Sequence, residues 1–276
     1  MKTKSIALSL LIVLSLMTFS CKKSSSDDIN NTVPVMPTGA INGLFSINEN
    51  VQVYFSKGNL QYKASTHTWR FAEKQWNIVG SDNENISSTY DGWIDLFGYG
   101  TGDFPTYNSD NDYNYSNYAE WGDNAISNGG SQTNMWRTLT NNEWKYILNI
   151  RDTKTGKRYA KAEVNGVNGL ILLPDNWSTS TYSLNSYNTT DAAFTANVIT
   201  ESDWSTLENK GAVFLPATGT RNQTTYYSYD YEVGAYWTST LFNDHQANIL
   251  HFSSSSLQTD SFSNNRLGHA VRLVSR

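Results

Sequence analysis

The chain has 276 residues and a formal net charge of −5, with only 16% of its residues charged. It has no basic run or patch to meet a phosphate backbone, so nucleic acid is not expected as a partner. Its seventeen tyrosines and nine tryptophans suit a recognition surface of rigid, part-polar rings, and equally a β-rich core with amphipathic edges.

At the N-terminus, Lys2 and Lys4 precede an apolar run from Ile6 to Phe19. The run is too short to span a bilayer as a helix and sits where the core of a signal peptide sits. Cys21 follows at once and is the sole cysteine, so no internal disulfide can form. It resembles the lipid-accepting cysteine of a bacterial lipoprotein, although Thr18 stands where leucine is usual and Phe19 is bulky for its place. The alternative is ordinary secretion with Cys21 incidental. The next stretch, KKSSSDDINNTVPVMPTG, has no apolar periodicity and reads as a tether. Its segment KKSSSDD resembles the serine-acidic export tags of lipoproteins from the Bacteroides group, which implies the outer face of the outer membrane. The expected organisation is a signal peptide over 1–20, a tether over 21–38 and one domain over 39–276. Membrane attachment is expected through the lipid anchor only.

The fold is expected to begin near Gly39. Val51, Val53 and Phe55 alternate with Gln52, Tyr54 and Ser56, and a turn at Lys57-Gly58-Asn59 leads to Leu60, Tyr62 and a further strand over Trp69–Phe71. Periodicity is lost from Asn77 to Gln132, a stretch of Gly, Asn, Asp and aromatics that reads as an ordered irregular loop pinned by Trp93, Phe97 and Trp121. Two short helices follow, near 141–149 and 201–209. Thr140 with Glu143, and Thr200 with Asp203, have the spacing of helix N-caps, and Gly211 stops the second helix. Trp144, Ile147, Leu148, Trp204 and Leu207 are expected to face inward, and Trp136 and Trp237 to join them in the core. Two apolar strands, GLILLP and GAVFLP, end at Pro174 and Pro216, which cannot donate to a ladder. Arg137, Arg221 and Arg272 are expected to tie loops through carboxylates or carbonyls. The chain closes with GAYWTST, ANILHF and HAVRLV as three strands. LFNDHQ and the serine run Ser253–Asn265 are expected as the loops between them.

The strings LTNNEWKYIL, RYAKAEVNGVNGLILLPDNW, ITESDWSTLENKGAVFLPATGTR, GAYWTST and HAVRLV resemble the secreted "major paralogous domain" proteins of Bacteroidetes and Fibrobacter. That resemblance covers about 39–276 and implies an α+β chain with a C-type lectin-like fold: mainly antiparallel strands, two short helices and long irregular loops. It brings no biochemical activity with it, because one fold hosts unrelated functions.

Three related classes can be weighed. Enzymes of this fold that make formylglycine need reactive cysteines, and Cys21 is the only one here. Calcium-dependent lectins need six to eight converging oxygens. Asp110, Asp112, Glu120 and Asp123 are candidates, but the Glu-Pro-Asn type of sugar signature is absent. The variable proteins of diversity-generating retroelements carry a rewritten C-terminal stretch, and residues 236–272 resemble such a module, with Tyr236, Trp237 and Ser239 as the fixed start and Arg266, Gly268, Val271 and Arg272 as the fixed end. The resemblance assigns ligand binding to Phe242, Asn243, Asp244, His245, Asn248, His251, Ser253, Ser255, Phe262, Leu267 and His269, with Ser263 among the same residue types. Small residues at 253–256 would leave room between the anchors Phe242, His245, His251 and Phe262.

No G-x-S-x-G elbow and no H-E-x-x-H helix occurs in the sequence, so no enzyme is expected, and no cofactor or metal. His245 and His251 are six residues apart and could pair on a metal, without further support. The expectation is a cell-surface lipoprotein that binds a protein or glycan through its C-terminal face, with retroelement diversification as a further expectation. The alternatives are a structural or adhesive subunit of a surface assembly, and a sugar-capture protein whose Tyr226, Tyr227, Tyr229 and Tyr231 form a stacking platform. If that segment is extended, Tyr227, Tyr229 and Tyr231 share one face.

Overall fold

The computed structural model describes residues 35–108 and 118–276. The leader, Cys21, most of the tether, Asp110 and Asp112 lie outside the described residues. Residues Val33–Arg276 form one contact unit. No helix among the described residues is long and apolar enough to cross a membrane.

The first strands are β1 (Ala40–Ser46), β2 (Gln52–Ser56), β3 (Leu60–Lys63) and β4 (Thr68–Phe71). β1 and β2 pair antiparallel, with Leu44 opposite Tyr54 and Ser46 opposite Gln52. Val53 and Phe55 enter the core beside Phe45, as the alternation predicts, but Tyr54 and Ser56 are buried as well, so both faces of β2 are covered.

The stretch 77–132 is irregular, with 3-10 turns at Gly80–Glu84 and Trp121–Asp123. Phe97 and Trp121 are buried pins, but Trp93 is not. Trp93 lies half-exposed, with the Arg70 guanidinium over its ring, 3.8 Å from the centroid. A polar pin replaces it. The buried Asn83 accepts from the backbone N–H groups of Asp95 and Leu96 and donates to Gly80 O and Asp95 Oδ1.

Next come β5 (Arg137–Thr138) and helix α1 (Asn141–Lys145). The α1 capping box is complete: Thr140 Oγ1 accepts from Glu143 N at 3.2 Å, and Glu143 Oε2 accepts from Thr140 N at 2.8 Å. Past Lys145 the helix widens into a π turn over Tyr146–Ile150, so the α-helical part is shorter than the expected 141–149. β6 (Tyr159–Val164) and β7 (Val167–Leu172) form a hairpin. Its two-residue turn, Asn165-Gly166, takes φ of 49° and 79°, the left-handed pair a tight hairpin needs.

β8 (Val198–Ile199) precedes helix α2 (Glu201–Glu208), capped by Thr200, and β9 (Val213–Pro216) follows it. Trp136, Trp144, Trp204 and Trp237 are all buried. The three arginines act as ties: Arg137 pairs with Glu143, Arg221 donates to Gln223 O and Leu96 O, and Arg272 donates to Asn59 Oδ1, Gln75 Oε1 and Phe214 O.

The last elements are β10 (Thr220–Asn222), β11 (Thr225–Tyr227), β12 (Gly234–Asn243), β13 (Gln246–Ser253), β14 (Ser256–Asn264) and β15 (Leu273–Ser275). Two expected loops are corrected here. LFNDHQ is the end of β12, a tight turn at Asp244-His245 and the start of β13. The serine run is a turn at Ser254-Ser255 followed by the nine residues of β14. Pairing with β13 over Gln246–Ser253 imposes the strand on residues whose own preference is weak.

Four-stranded sheets run β1-β2-β15-β5 and β8-β6-β7-β9, and the three-stranded sheet is β12-β13-β14. β15 lies between β2 and β5, so the first and last strands share a sheet. The chain is therefore α+β and mostly antiparallel. The three-stranded sheet divides two apolar clusters. Tyr236, Leu250 and Phe252 join the one holding Phe45 and Trp144, while Ala235, Trp237, Ala247 and Ile249 join the one holding Trp69 and Trp121.

Candidate functional site

β12 is buried over Gly234–Thr238 and leaves the core over Leu241–Asn243, so the β12–β13 turn projects from the body. Across it, Phe242 and Phe262 stack in parallel, with ring centroids 4.2 Å apart and planes within 7°. They come from the two outer strands, which are separated by β13. Strands spaced about 4.8 Å apart put their backbones about 10 Å from each other, so both rings lean over the middle strand. Cross-strand partners share a face, and Phe262 lies opposite Asn248. The pair remains 52% and 45% exposed, an apolar surface held open to solvent.

The turn beside it is braced by side chains. Asn243 Nδ2 donates to Gln246 Oε1 at 2.9 Å, Asn243 Oδ1 accepts from His245 N at 2.9 Å, and Gln246 Nε2 donates to Asn264 Oδ1 at 3.2 Å. Asn265 N donates to His245 O at 2.9 Å and Leu267 N to Asn264 O at 3.0 Å. Asn243 and Asp244 are exposed, and His245 and Leu267 half-buried. Phe242, Phe262, Asn243, Asp244, His245 and Leu267 thus gather at one end of the sheet.

The remaining candidates do not join them. Ser253 and Ser255 lie at the opposite end of β13, about 20 Å away at the rise of a strand. There the Ser253 hydroxyl is 2.9 Å from that of Ser256 and accepts from Ser255 N. Ser254 Oγ donates to Glu232 Oε2 at 3.4 Å. Asn248 is buried beneath the leaning phenylalanines, its amide directed to Ser261 O at 3.4 Å. His251 is half-buried, five positions along β13 from its first residue, and burial lowers its pKa. It projects from the face opposite Asn248 and so away from the phenylalanine pair.

His269 is corrected outright. It is 3% exposed, with its ring edge-on to Trp237 at 4.7 Å and its nitrogens beside Ser263 Oγ at 2.6 Å and Thr220 Oγ1 at 3.3 Å. Burial, with smaller contributions from His251 and Arg221, pushes its pKa down to about 3. It is a neutral, hydrogen-bonded core histidine because the following residues, Ala270 and Val271, are core residues too. Ser263, bonded to it, faces the same interior.

No group of three or more His, Cys, Asp or Glu among the described residues is placed to hold a metal. Glu120 is committed elsewhere: its carboxylate accepts from Tyr118 Oη at 2.8 Å, Thr138 Oγ1 at 2.7 Å and Gly122 N at 3.3 Å. His245 and His251 sit at separate levels of β13, about 20 Å apart along an extended strand, too far to share an ion.

The tyrosine segment is bent where an extended run was expected. After β11 it turns through Tyr229, Asp230 and Tyr231, all at positive φ of 49°, 51° and 57°. Tyr226 is half-buried, with its hydroxyl on Thr218 O at 3.0 Å, and burial raises its pKa. Tyr227, Tyr229 and Tyr231 stay exposed, and the rings of Tyr227 and Tyr229 stack 6.1 Å apart. A Tyr-Asp-Tyr string without glycine carries no signal for three successive left-handed residues, so this bend was not readable beforehand.

Neither family models, nor characterised proteins, nor solved structures provide a match to this chain.

Proposed function

We propose that this chain is a lipid-anchored protein of the outer-membrane surface that captures a protein or glycan partner through the exposed β12–β14 end of a C-type lectin-like domain. The observation that carries this reading is the open Phe242/Phe262 stack. A close aromatic pair in water is an energetic anchor awaiting desolvation, and the braced amides of Asn243, Gln246 and Asn264 around it form the polar surround that binding hot spots have. The hydrogen-bonded turn holds the rings in place before contact, which lowers the ordering cost of binding. The two rings cover one face of each other at 4.2 Å, which favours a protein surface closing over the pair rather than a single sugar ring stacking on it. The lectin-like assignment is supported by the family resemblance, by the first and last strands sharing one sheet, and by the long irregular segment 77–132. Lipid attachment rests on Cys21 and its flanking residues. Retroelement diversification of 236–272 remains part of the proposal, and of the positions assigned to ligand binding Phe242, Asn243, Asp244, Ser255 and Phe262 are exposed.

The experiment is an array of purified cell-surface proteins and glycans probed with the native full-length chain and with a Phe242→Ala/Phe262→Ala variant. The expected outcome is a partner whose affinity falls at least ~30-fold, about 2 kcal/mol, in a variant whose melting temperature is nearly unchanged. Equal capture by both chains would move the site elsewhere.

The second reading, a subunit of a surface assembly, is favoured by one observation. β14 ends its sheet, so one row of its backbone groups has no ladder partner. The bulge opposite Ile249–His251 shortens the straight edge on offer.

A further inference from the structure

We infer a second, separate binding site: the exposed tyrosines Tyr227, Tyr229 and Tyr231 form a platform for an uncharged oligosaccharide. It lies at the end of the three-stranded sheet away from the phenylalanine pair. Gly234 opposes Phe252, so the chain entering β12 runs beside the β13–β14 turn, and Ser254 Oγ reaches Glu232 at 3.4 Å. The serine turn is therefore a wall of this site.

The platform is built. Tyr227 and Tyr229 present nearly parallel rings, 6.1 Å apart and 23° from coplanar stacking. The left-handed turn that carries Tyr229 and Tyr231 is held by Tyr231 N on Ser228 O at 2.9 Å, Glu232 N on Tyr229 O at 3.0 Å and Asn168 Nδ2 on Tyr231 O at 3.2 Å. Its other margin is tied down by Tyr226 N on Glu84 Oε1 at 2.9 Å. The Tyr231 hydroxyl comes within 3.9 Å of where a side chain at Gly80 would start. Val79 and Asp82, on either side of Gly80, line a recess of about 400 Å³ that also includes Gln61, Asn77, Arg70 and Trp93. Tyr231 thus stands beside the Gly80 turn, whose neighbours Val79 and Asp82 line a recess with amide and carboxylate groups.

The chemistry selects the ligand. A pyranose has a flat C–H face for an aromatic ring and a rim of hydroxyls for carboxylate and amide acceptors. The exposed carboxylates at the platform are Glu84, Asp230 and Glu232. Arg70 lines the recess together with Asp82 and is 3.7 Å from Glu73, and Arg221 is buried on Gln223 O and Leu96 O. Arg266, at the far end of the β10–β11 hairpin, reaches Asn222. The rim is net acidic and repels uronates and sulfated sugars. A basic peptide is the lesser fit, because its flexible side chains offer the rings no flat C–H face and lose rotamer freedom on ordering, whereas sugar hydroxyls find acceptors in the carboxylates.

The test is titration calorimetry of the full-length chain with cellohexaose, xylohexaose, mannohexaose and maltohexaose, with hexagalacturonate and octalysine as controls. The expected result is binding of at least one neutral hexasaccharide and at least tenfold weaker binding of hexagalacturonate. Tyr229→Ala should weaken the neutral sugar at least tenfold, Tyr229→Phe by less than threefold, and Phe242→Ala/Phe262→Ala not at all. The last variant keeps failure here distinct from failure of the β12–β14 reading. Absence of binding by all four neutral sugars, retention of full affinity in Tyr229→Ala with its fold intact, or tighter binding of hexagalacturonate or octalysine would overturn the inference.

Discussion

Two buried ionisable residues, Asp95 and His269, set an unusual pH dependence. Asp95 is 1% exposed and burial pushes its pKa from 3.8 up to about 6, against the opposing pull of hydrogen bonds from Asn83 and Val79. The folded chain takes up this proton before the unfolded chain does, so Asp95 adds stability as pH falls from 6 to 3.8. His269 has the opposite sign. Its folded pKa of about 3 lies below its ordinary 6.5, so the unfolded chain is protonated first and stability falls from pH 6.5 towards 3. Between pH 6 and 3.8 the two contributions oppose each other. Asp95→Asn removes one of them. Urea unfolding at pH 6, 5 and 4 should show the variant losing stability relative to the native chain as pH falls, by roughly 1 kcal/mol per unit, and parallel curves would contradict the assignment. His269 was misread from the sequence because its position in the C-terminal module implied exposure, whereas the packing of Ala270 and Val271 decides its burial. Phe242 and Phe262 were legible as exposed aromatics, but their mutual stack was not, since the twelve positions 244–255 had first to fold as β13 and its turns.

At the scale of elements, the two helices were readable because their caps are local. Thr140 and Glu143 are three residues apart and complete their box without help from the rest of the chain, and Arg137 then clamps both oxygens of Glu143 at 2.8 and 2.6 Å. Burial raises the Glu143 pKa, but Arg137 and the Thr140 backbone outweigh it, and the net shift is downward. At α2 the shorter Asp203 does not reach back to Thr200 N. Its carboxylate accepts from Thr200 Oγ1 at 2.9 Å instead. Thr140→Ala should therefore cost about 1–2 kcal/mol and Thr200→Ala about 1 kcal/mol or less, measured by denaturant unfolding. A larger loss at Thr200 would show that the reciprocal box is not what matters. Trp144→Ala and Trp204→Ala should each cost about 3–5 kcal/mol, since both rings are enclosed. β14 was hidden for the converse reason. Ser256, Asp260, Ser261, Ser263 and Asn264 carry little strand preference, and pairing with β13 supplies it. The π turn after Lys145 was equally unreadable, because its register follows from seating Ile147 and Leu148 in the core.

For the whole molecule, the consequence of β13 being flanked on both sides is that residues close in the sequence end up far apart. Candidates between 242 and 269 divide into a phenylalanine end, a serine end, an interior pair of Asn248 and His269, and His251, half-buried on the other face of β13. Sequence proximity suggested one surface, and sheet topology makes two, separated by the length of a strand buried on both faces. The central claim is that the phenylalanine end receives the partner. Hydroxyl-radical footprinting tests it most directly, with the full-length chain oxidised alone and in complex with a partner recovered from the array. The account predicts at least fivefold protection of Phe242 and Phe262 in the complex, with Tyr227 and Tyr229 unchanged by a protein partner. Unaltered oxidation of both phenylalanines in a saturated complex would contradict it.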